Sequence, residues 1–199
     1  MKKKLLALAA LCAMTSGAAF AQEMPGPWMV RLRAVRVNTD HGGAAGDAGV
    51  KVSSKTIPEV DVSYFFTPNL AAELILTYPQ KHTVRLGGTP VGSLKELPPT
   101  LLGQYHFTGL GAFKPYLGAG VNYTRYSSVD IAGGAVSIKK SSWGPALQAG
   151  LDYALDKNWV LNFDVKKVWM DTKVTGAGLN DAKYKVDPWL IGVGVGYRF

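Results

Sequence analysis

Alternation of apolar and polar side chains with a period of two is the feature that most constrains how this chain can fold. It recurs in eight stretches, each about ten residues long, whereas the period of 3.6 that marks a helix is not sustained after the first twenty residues. About ten residues is also the length that a tilted strand needs to cross a membrane. The eight predicted strands are 28–37, 57–66, 70–80, 97–107, 115–126, 142–155, 158–170 and 186–199.

The placement of aromatic residues decides which face of these strands points outward. A soluble barrel packs its apolar face inside, whereas a membrane barrel turns that face to the lipid. The tryptophans fall near strand ends, and threading the strands up and down gathers the aromatic side chains into two rings, as at a membrane–water interface. The sequence therefore predicts an all-β fold, an eight-stranded antiparallel transmembrane β-barrel of the outer-membrane type. The aromatic residues expected at the lipid interface are Trp28, Tyr78, Trp143, Trp159, Trp169 and Trp189.

The connections between the predicted strands alternate between short and long. The short ones are 67–69, 108–112 and 156–157. The long polar ones are 38–56, 81–96, 127–141 and 171–185. Such barrels have short periplasmic turns and long extracellular loops, so we expect both termini in the periplasm. His41 and His82 fall in long connections, where we expect them to be solvated.

Residues 1–21 predict a cleaved signal peptide. Three lysines precede a short apolar stretch, and an Ala-Phe-Ala cleavage site follows it. The mature chain, residues 22–199, is then one barrel domain without cysteine, and its net charge falls from +8 to +5 because the leader carries those three lysines. Export and a membrane barrel together predict the outer membrane of a Gram-negative bacterium.

The polar face of the strands predicts a charged barrel interior. An eight-stranded barrel is just wide enough for its side chains to fill, and an unpaired charge in a low dielectric is costly. The charges therefore form either an ion-pair plug or a polar gate below a ligand vestibule. Inward glycines on two strands make room either for large side chains opposite or for a ligand. The inward charged residues are Arg31, Arg33, Glu59, Asp61, Glu73, Asp152, Asp164, Lys166 and Arg198.

No pattern of catalytic or metal-binding residues appears in the sequence. It has no Gly-rich phosphate loop, no His–Glu metal spacing and no nucleophile elbow, so we expect neither an enzyme nor a cofactor. The positive charge is dispersed, which argues against nucleic acid as a partner. Instead, three outward-facing cations near the long loops predict contacts with lipopolysaccharide phosphates: Arg36, Arg125 and Lys167. Four loop lysines either add to these contacts or are solvated: Lys139, Lys140, Lys183 and Lys185.

Four motifs stand in order along the chain: LPPTLLGQY at 97–105, KPYLGAGVNYT at 114–124, the segment 142–159, which begins with Ser-Trp-Gly and ends with Asn-Trp, and the segment 187–199. Together they resemble motifs of the outer membrane protein W (OmpW) family. Tyr197 and Phe199 also resemble the C-terminal aromatic signal that the outer-membrane assembly machinery reads.

This resemblance implies passive passage of small hydrophobic molecules, including sideways release into the bilayer. Ile75 and Leu102 match inward apolar positions of such a conduit, whereas Lys166 stands where a large apolar or aromatic lining residue is expected. The alternative is a structural or surface-interaction barrel with an occluded lumen, which binds lipopolysaccharide or an external partner through its loops. A continuous lumen that opens toward the loops favours the first function, and a fully occluded lumen favours the second.

Overall fold

The computed structural model describes residues 26–39, 42–176 and 179–199, so the predicted leader and His41 lie outside the described residues. The strands, numbered in chain order, are β1 Trp28–Asn38, β2 Val50–Val52, β3 Lys55–Phe65, β4 Leu70–Leu76, β5 Gln80–Leu86, β6 Thr89–Leu97, β7 Thr100–His106, β8 Phe113–Ile131, β9 Val136–Ile138, β10 Ser141–Ala154, β11 Trp159–Val168, β12 Asp171–Gly176, β13 Leu179–Lys185 and β14 Trp189–Arg198. A short helix, α1, spans Gly43–Asp47, and a 3-10 turn spans Ala132–Gly134. Within the described ranges, no helix has the length and apolar character needed to cross a membrane.

Eight of these strands form a closed antiparallel barrel. Their order around the wall is β1-β3-β4-β7-β8-β10-β11-β14, and β14 pairs back onto β1 from Met29↔Arg198 to Asn38↔Trp189. Closure pairs strands on both sides and removes the exposed edges that an open sheet would present to lipid. The predicted fold class, an eight-stranded antiparallel barrel, is confirmed.

Side-chain exposure alternates along each strand of the barrel wall. On β1, Leu32 is 54% exposed, whereas the neighbouring Arg31 and Arg33 are 0% and 1% exposed. The apolar face is therefore outside and the polar face inside, the reverse of a soluble barrel and the arrangement that lipid requires.

Five of the six aromatic residues expected at the lipid interface are exposed: Trp28, Tyr78, Trp143, Trp159 and Trp189. Trp169 differs, because it is half-buried and lies just beyond the end of β11. Its backbone N–H donates to the carbonyl oxygen of Pro145 at 3.0 Å. The alternation of burial nevertheless continues through residues 168–172, so Trp169 keeps the outward position that the pattern predicts but is partly covered.

Prolines shorten three of the predicted strands. The segments 70–80, 97–107 and 186–199 appear in the structure as the shorter β4, β7 and β14. Proline has no backbone N–H to donate to a ladder, so it favours the end of a strand. The residues that fall outside these strands include Pro79, Pro98, Pro99 and Pro188.

The long connections carry regular structure of their own. β5 and β6 form a hairpin that pairs with the far part of β8, and β2 pairs with β5. β9, β12 and β13 form a separate three-stranded sheet. We refer to this end of the barrel as the loop end. At the opposite end, the terminus end, the backbone N–H of Trp28 donates to the carbonyl oxygen of Phe199 at 3.1 Å.

The inner face of β14 is made of glycines that lie against the two arginines of β1. A Cβ atom at Gly194 would be 2.1 Å from the carbonyl oxygen of Leu32 and 2.9 Å from Cγ of Arg33. A Cβ atom at Gly196 would be 3.0 Å from Cγ of Arg31. These glycines therefore make room for the arginine side chains, which is the packing interpretation of the glycine run.

Replacing Gly194 with valine is expected to lower the free energy of unfolding by about 1–3 kcal/mol, because the added atoms overpack the seam between β14 and β1. Urea unfolding of the protein in lipid vesicles measures this change. Ala34→Val is the matched control, since Ala34 is exposed on the outer face of β1. Equal stabilities of the two variants would contradict the packing role of this glycine.

Candidate functional site

A layer of charged side chains spans the barrel interior. Each of its members is no more than 2% exposed, although each carries an ionisable group. We call this set the charge layer, and its members are Arg31, Arg33, Glu59, Asp61, Glu73, Asp152, Asp164 and Lys166.

The two arginines of β1 stand at the centre of the charge layer. Arg31 reaches across to Asp152, with Nη2 2.7 Å from Oδ2, and its Nη1 lies 3.2 Å from Oδ1 of Asp61. Arg33 contacts the other oxygen of Asp61 at 2.8 Å and Oε1 of Glu73 at 2.9 Å. Asp61 thus bridges the two guanidinium groups, which would otherwise repel each other on one strand.

Lys166 closes the layer on the side of the loop end. Its Nζ atom lies 2.7 Å from Oε1 of Glu59 and 2.6 Å from Oδ1 of Asp164. Asp164 also accepts hydrogen bonds from the Tyr116 hydroxyl at 2.9 Å and from Nε2 of Gln148 at 2.8 Å. Side chains from β1, β3, β4, β8, β10 and β11 therefore meet across the lumen and fill it at the level of the charge layer.

Arg198 faces inward as expected, but its contacts lie outside the charge layer. Its Nε atom donates to the carbonyl oxygen of Gly26 at 2.9 Å, and its guanidinium carbon lies 3.8 Å from the centroid of the Phe65 ring. The terminus end therefore holds this cation through a backbone acceptor and an aromatic ring, whereas the sequence grouped it with the other inward charges.

Two neutral side chains that were not predicted from the sequence, Asn162 and Tyr116, form hydrogen bonds with members of the charge layer. Asn162 accepts a hydrogen bond from Nε of Arg33 at 2.6 Å and donates to Oδ1 of Asp152 at 2.7 Å. Tyr116 is 1% exposed and stands two residues before Gly118, an inward position of the same strand. The period of two would therefore have placed Tyr116 inside, but it could not have shown which acid this hydroxyl meets.

A cavity of about 30 Å³ lies between the charge layer and the loop end. Glu59 and Lys166 contribute to its lining, and so does Ile75, the apolar residue expected in a conduit. Leu102 does not line the cavity and instead packs with Ile75 in the adjoining apolar cluster. Half of the lining residues are apolar, and apolar atoms supply most of the lining surface; the apolar residues include Val37, Ile57, Val168, Met170 and Leu190.

The barrel wall beside this cavity lacks backbone pairing along one stretch. β3 pairs with β4 only as far as Val60↔Leu76. Pairing across this side of the wall resumes at Val52↔Val84, between β2 and β5. In the described part of the chain, residues 55–59 of β3 pair with β1 but with no strand on their other side.

We call this unpaired stretch the wall window; residues 55–59 form one side of it and residues 77–83 the other. Pro58 stands in the middle of the first side and is exposed on the outer face. Proline in a sheet is confined to edges and bulges because it cannot donate to a neighbouring strand. A proline at this position therefore disfavours closure of the window by an added ladder.

His82 lies at the edge of the wall window nearest the loop end. Its Nδ1 atom is 3.1 Å from the carbonyl oxygen of Ser53, and its Nε2 atom is 3.2 Å from Oε1 of Glu96. The expectation that His82 is solvated is wrong, because the side chain is buried between these partners. Burial opposes the charged ring, but the hydrogen bond and charge of Glu96 outweigh burial and the repulsion from Lys55, so the pKa of His82 is raised.

The three cations expected to contact lipopolysaccharide do not form one site. Arg36 and Arg125 are exposed, but they lie on β1 and β8, which face each other across the barrel. Lys167 is half-buried: its ammonium group donates to the carbonyl oxygen of Asp187 and lies 5.1 Å from the centroid of the Trp189 ring.

A closed barrel with an apolar, aromatic-rimmed exterior and a charged interior defines the class: this is an outer-membrane β-barrel protein. Its residues 26–199 match the OmpW family. The chain belongs to that family, which places it in the outer membrane of a Gram-negative bacterium.

Relatives from several bacteria agree with membership of this family. The chain is 47% identical to the outer-membrane protein y4mB of Sinorhizobium fredii over 87% of its own length and 80% of that protein. It is 34% identical to outer membrane protein W of Escherichia coli over the whole of both chains. It is 27% identical to the dibenzothiophene metabolism operon protein PahQ of Pseudomonas aeruginosa over 87% of its length and 89% of that protein.

Among solved structures, the crystal structure of the outer membrane protein OprG from Pseudomonas aeruginosa is similar throughout. The TM-score is 0.75 at 31% identity, and the match covers 89% of this chain and 97% of OprG.

Replacing Glu73 with leucine is expected to lower the free energy of unfolding by about 3–5 kcal/mol, because Arg31 and Arg33 would lose a buried counter-charge. Urea unfolding in lipid vesicles measures the loss. The matched control is Lys183→Met, which removes an ion pair of 2.6 Å with Asp171 whose side chains are about half exposed. We expect little measurable change there because solvent screens exposed pairs. Similar losses of unfolding free energy in both variants would show that burial does not determine how much the ion pairs of the charge layer stabilise the protein.

The raised pKa of His82 predicts a pH-dependent contribution to stability. The folded state favours the protonated ring, so the stabilisation is fully present below the ordinary pKa of about 6.5. It is lost as the pH rises through the higher pKa of the folded state. The free energy of unfolding of the wild type minus that of His82→Gln should therefore fall as the pH rises from about 6 into the alkaline range. A difference that is constant or rises over this range would contradict the assigned partners.

Proposed function

We propose that the protein gives small hydrophobic molecules a passive route across the outer membrane, with sideways release into the bilayer. In this proposal the loop end faces outward and both termini lie in the periplasm. The short connections at the terminus end and the structured extensions at the loop end support this orientation. A solute would reach the cavity from the loop end.

The charge layer supports a sideways exit over a straight one. An apolar molecule that crossed it would have to separate buried ion pairs such as Lys166–Glu59 at 2.7 Å. Breaking a buried pair leaves uncompensated charges in a low dielectric and costs about 3–5 kcal/mol. An exit above the layer avoids this penalty.

The observation that carries the proposal is that the apolar cavity and the wall window adjoin each other. Ile57 belongs to the unpaired part of β3, and it also lines the cavity. The cavity, at about 30 Å³, is far smaller than the roughly 150 Å³ that accommodates benzene in an engineered core. Transit therefore requires widening, and separating the two sides of the window breaks no ladder hydrogen bond between them.

The family relationship supports apolar solutes in particular. The name of PahQ connects that relative to dibenzothiophene metabolism, and dibenzothiophene is a flat, apolar molecule. The apolar residues that line the cavity suit a solute of this kind.

The test uses vesicles whose outer leaflet is lipopolysaccharide, with naphthalene as the solute and energy transfer to an acceptor lipid in the inner leaflet as the readout. Vesicles that carry the protein should take up naphthalene faster than empty ones. Ile57→Trp should bring the rate near that of empty vesicles, because the indole fills the cavity beside the window. Leu32→Trp, on the outer face of β1, is the matched control and should transport like the wild type. Equal rates with and without folded wild-type protein would overturn the proposal.

Binding of lipopolysaccharide is a second candidate function, and the three-stranded sheet at the loop end favours it. Lys173 and Lys183 are directly opposite in the ladder between β12 and β13, although like charges at such positions repel. Lys139 joins them, since its backbone N–H donates to the carbonyl oxygen of Lys173 at 3.0 Å. Asp171 offsets part of this positive charge through its ion pair of 2.6 Å with Lys183, and the lysines still outnumber it, so the sheet suits the phosphate groups of lipopolysaccharide.

Lys139→Gln combined with Lys183→Gln should weaken binding of purified lipopolysaccharide to the protein in nanodiscs and reduce the salt dependence of that binding. Lys51→Gln combined with Lys95→Gln is the matched control, with the same loss of charge from two exposed positions of the loop end outside this sheet. Equal weakening by both pairs would contradict a specific role for the sheet.

We also propose that Tyr197 and Phe199 serve as the signal for the assembly machinery. Both are exposed at the terminus end, where a periplasmic receptor would meet the last strand.

A further inference from the structure

Gln80 is the residue whose hydrogen bonding in the cavity is incomplete. It is 1% exposed and lines the cavity next to the wall window. Its Nε2 atom donates to the carbonyl oxygen of Tyr78 at 2.9 Å, whereas its Oε1 atom is buried without a hydrogen-bond partner. Because the Tyr78 carbonyl can only accept, the amide nitrogen must face it, and the free atom of Gln80 is an acceptor.

Other polar side chains in the lining are already paired. The two ring nitrogens of His82 contact Ser53 and Glu96, as described above. The Nδ2 atom of Asn122 donates to the hydroxyl of Thr100 at 2.9 Å. Lys166 is held by carboxylates of the charge layer. Of the lining residues, all of which lie in the described chain, Gln80 alone has a fully buried polar atom without a partner.

A buried acceptor without a partner is unfavourable, and a solute can relieve it only by donating a hydrogen bond. A hydrocarbon leaves Oε1 unpaired. An ether brings a second acceptor toward it and also leaves it unpaired. A phenol or an alcohol places its apolar body against the lining and its hydroxyl hydrogen on Oε1.

We propose that the cavity prefers hydrophobic solutes that carry one hydrogen-bond donor, such as phenols and medium-chain alcohols, and that Gln80 determines this preference. This inference rests on the proposed transport function and names the solute class for the same cavity. Gln80 acts as a specificity residue at the point where solutes leave the barrel.

Three probes with the same ring system separate the possibilities in the vesicle assay. 2-Naphthol has a donor, 2-methoxynaphthalene has an oxygen that can only accept, and naphthalene has neither. For the wild type, the protein-dependent uptake rate of 2-naphthol should exceed that of the other two by roughly 2–10-fold, the factor that one net hydrogen bond provides. Each rate is corrected for uptake of the same probe by empty vesicles.

Gln80→Met removes the acceptor while keeping a side chain of similar length, and it should abolish the preference without abolishing uptake of naphthalene. Lys95→Met is the matched control, because Lys95 is exposed on the neighbouring strand β6 and lies outside the wall window. That variant should keep the wild-type preference. Resistance of each variant to unfolding by heat in gel electrophoresis verifies that the barrel is folded.

The outcomes distinguish failure of this inference from failure of the transport function. If the wild type accelerates all three probes equally, a donor gives no advantage, and the inference is wrong while transport stands. If Gln80→Met keeps the preference, Gln80 does not determine it, and the inference is wrong. If no probe enters faster than into empty vesicles, the transport function fails and the inference fails with it.

Discussion

The need to pair buried charges inside a narrow barrel is the constraint on which the rest of this structure depends. Arg31 and Arg33 enter the lumen from one strand, two residues apart, and Asp61 bridges them with its two oxygens. The remaining contacts require carboxylates on β3, β4, β10 and β11 at the same level of the barrel as the arginines. They also require the inward glycines of β14, which leave space for the arginine side chains. The pairing registers of the wall strands therefore bring these charges together, and the ion pairs in turn stabilise those registers.

The charge layer also limits the directions in which a solute could leave the cavity between this layer and the loop end. An apolar solute that reaches the cavity meets paired charges below it and the unpaired part of β3 beside it. The same segment contains Pro58, which resists an added ladder. His82 lies at the loop-end edge of this window and links Ser53 to the hairpin formed by β5 and β6 through its contacts with Ser53 and Glu96.

Much of the wall could be predicted from the period of two alone, because a residue such as Arg33 or Leu32 has its face determined by its position in an unbroken strand. Predictions failed where the strand ended. The pattern extended β4 past Pro79 and assigned His82 to a solvated loop. The proline positions were visible in the sequence, but the partners of the residues beyond them depend on distant segments such as β6 and β10.

The sequence by itself determined the fold class, the inward or outward face of residues within strands, and the presence of a charged interior, because each depends on local alternation in a closed sheet. Only the tertiary structure decided that the charges fill the lumen at the level of the charge layer, that Arg198 stands apart from them, and that an apolar cavity adjoins the wall window. Those features arise from contacts between residues far apart in the chain, such as Arg31 with Asp152, whose separation depends on register and barrel closure.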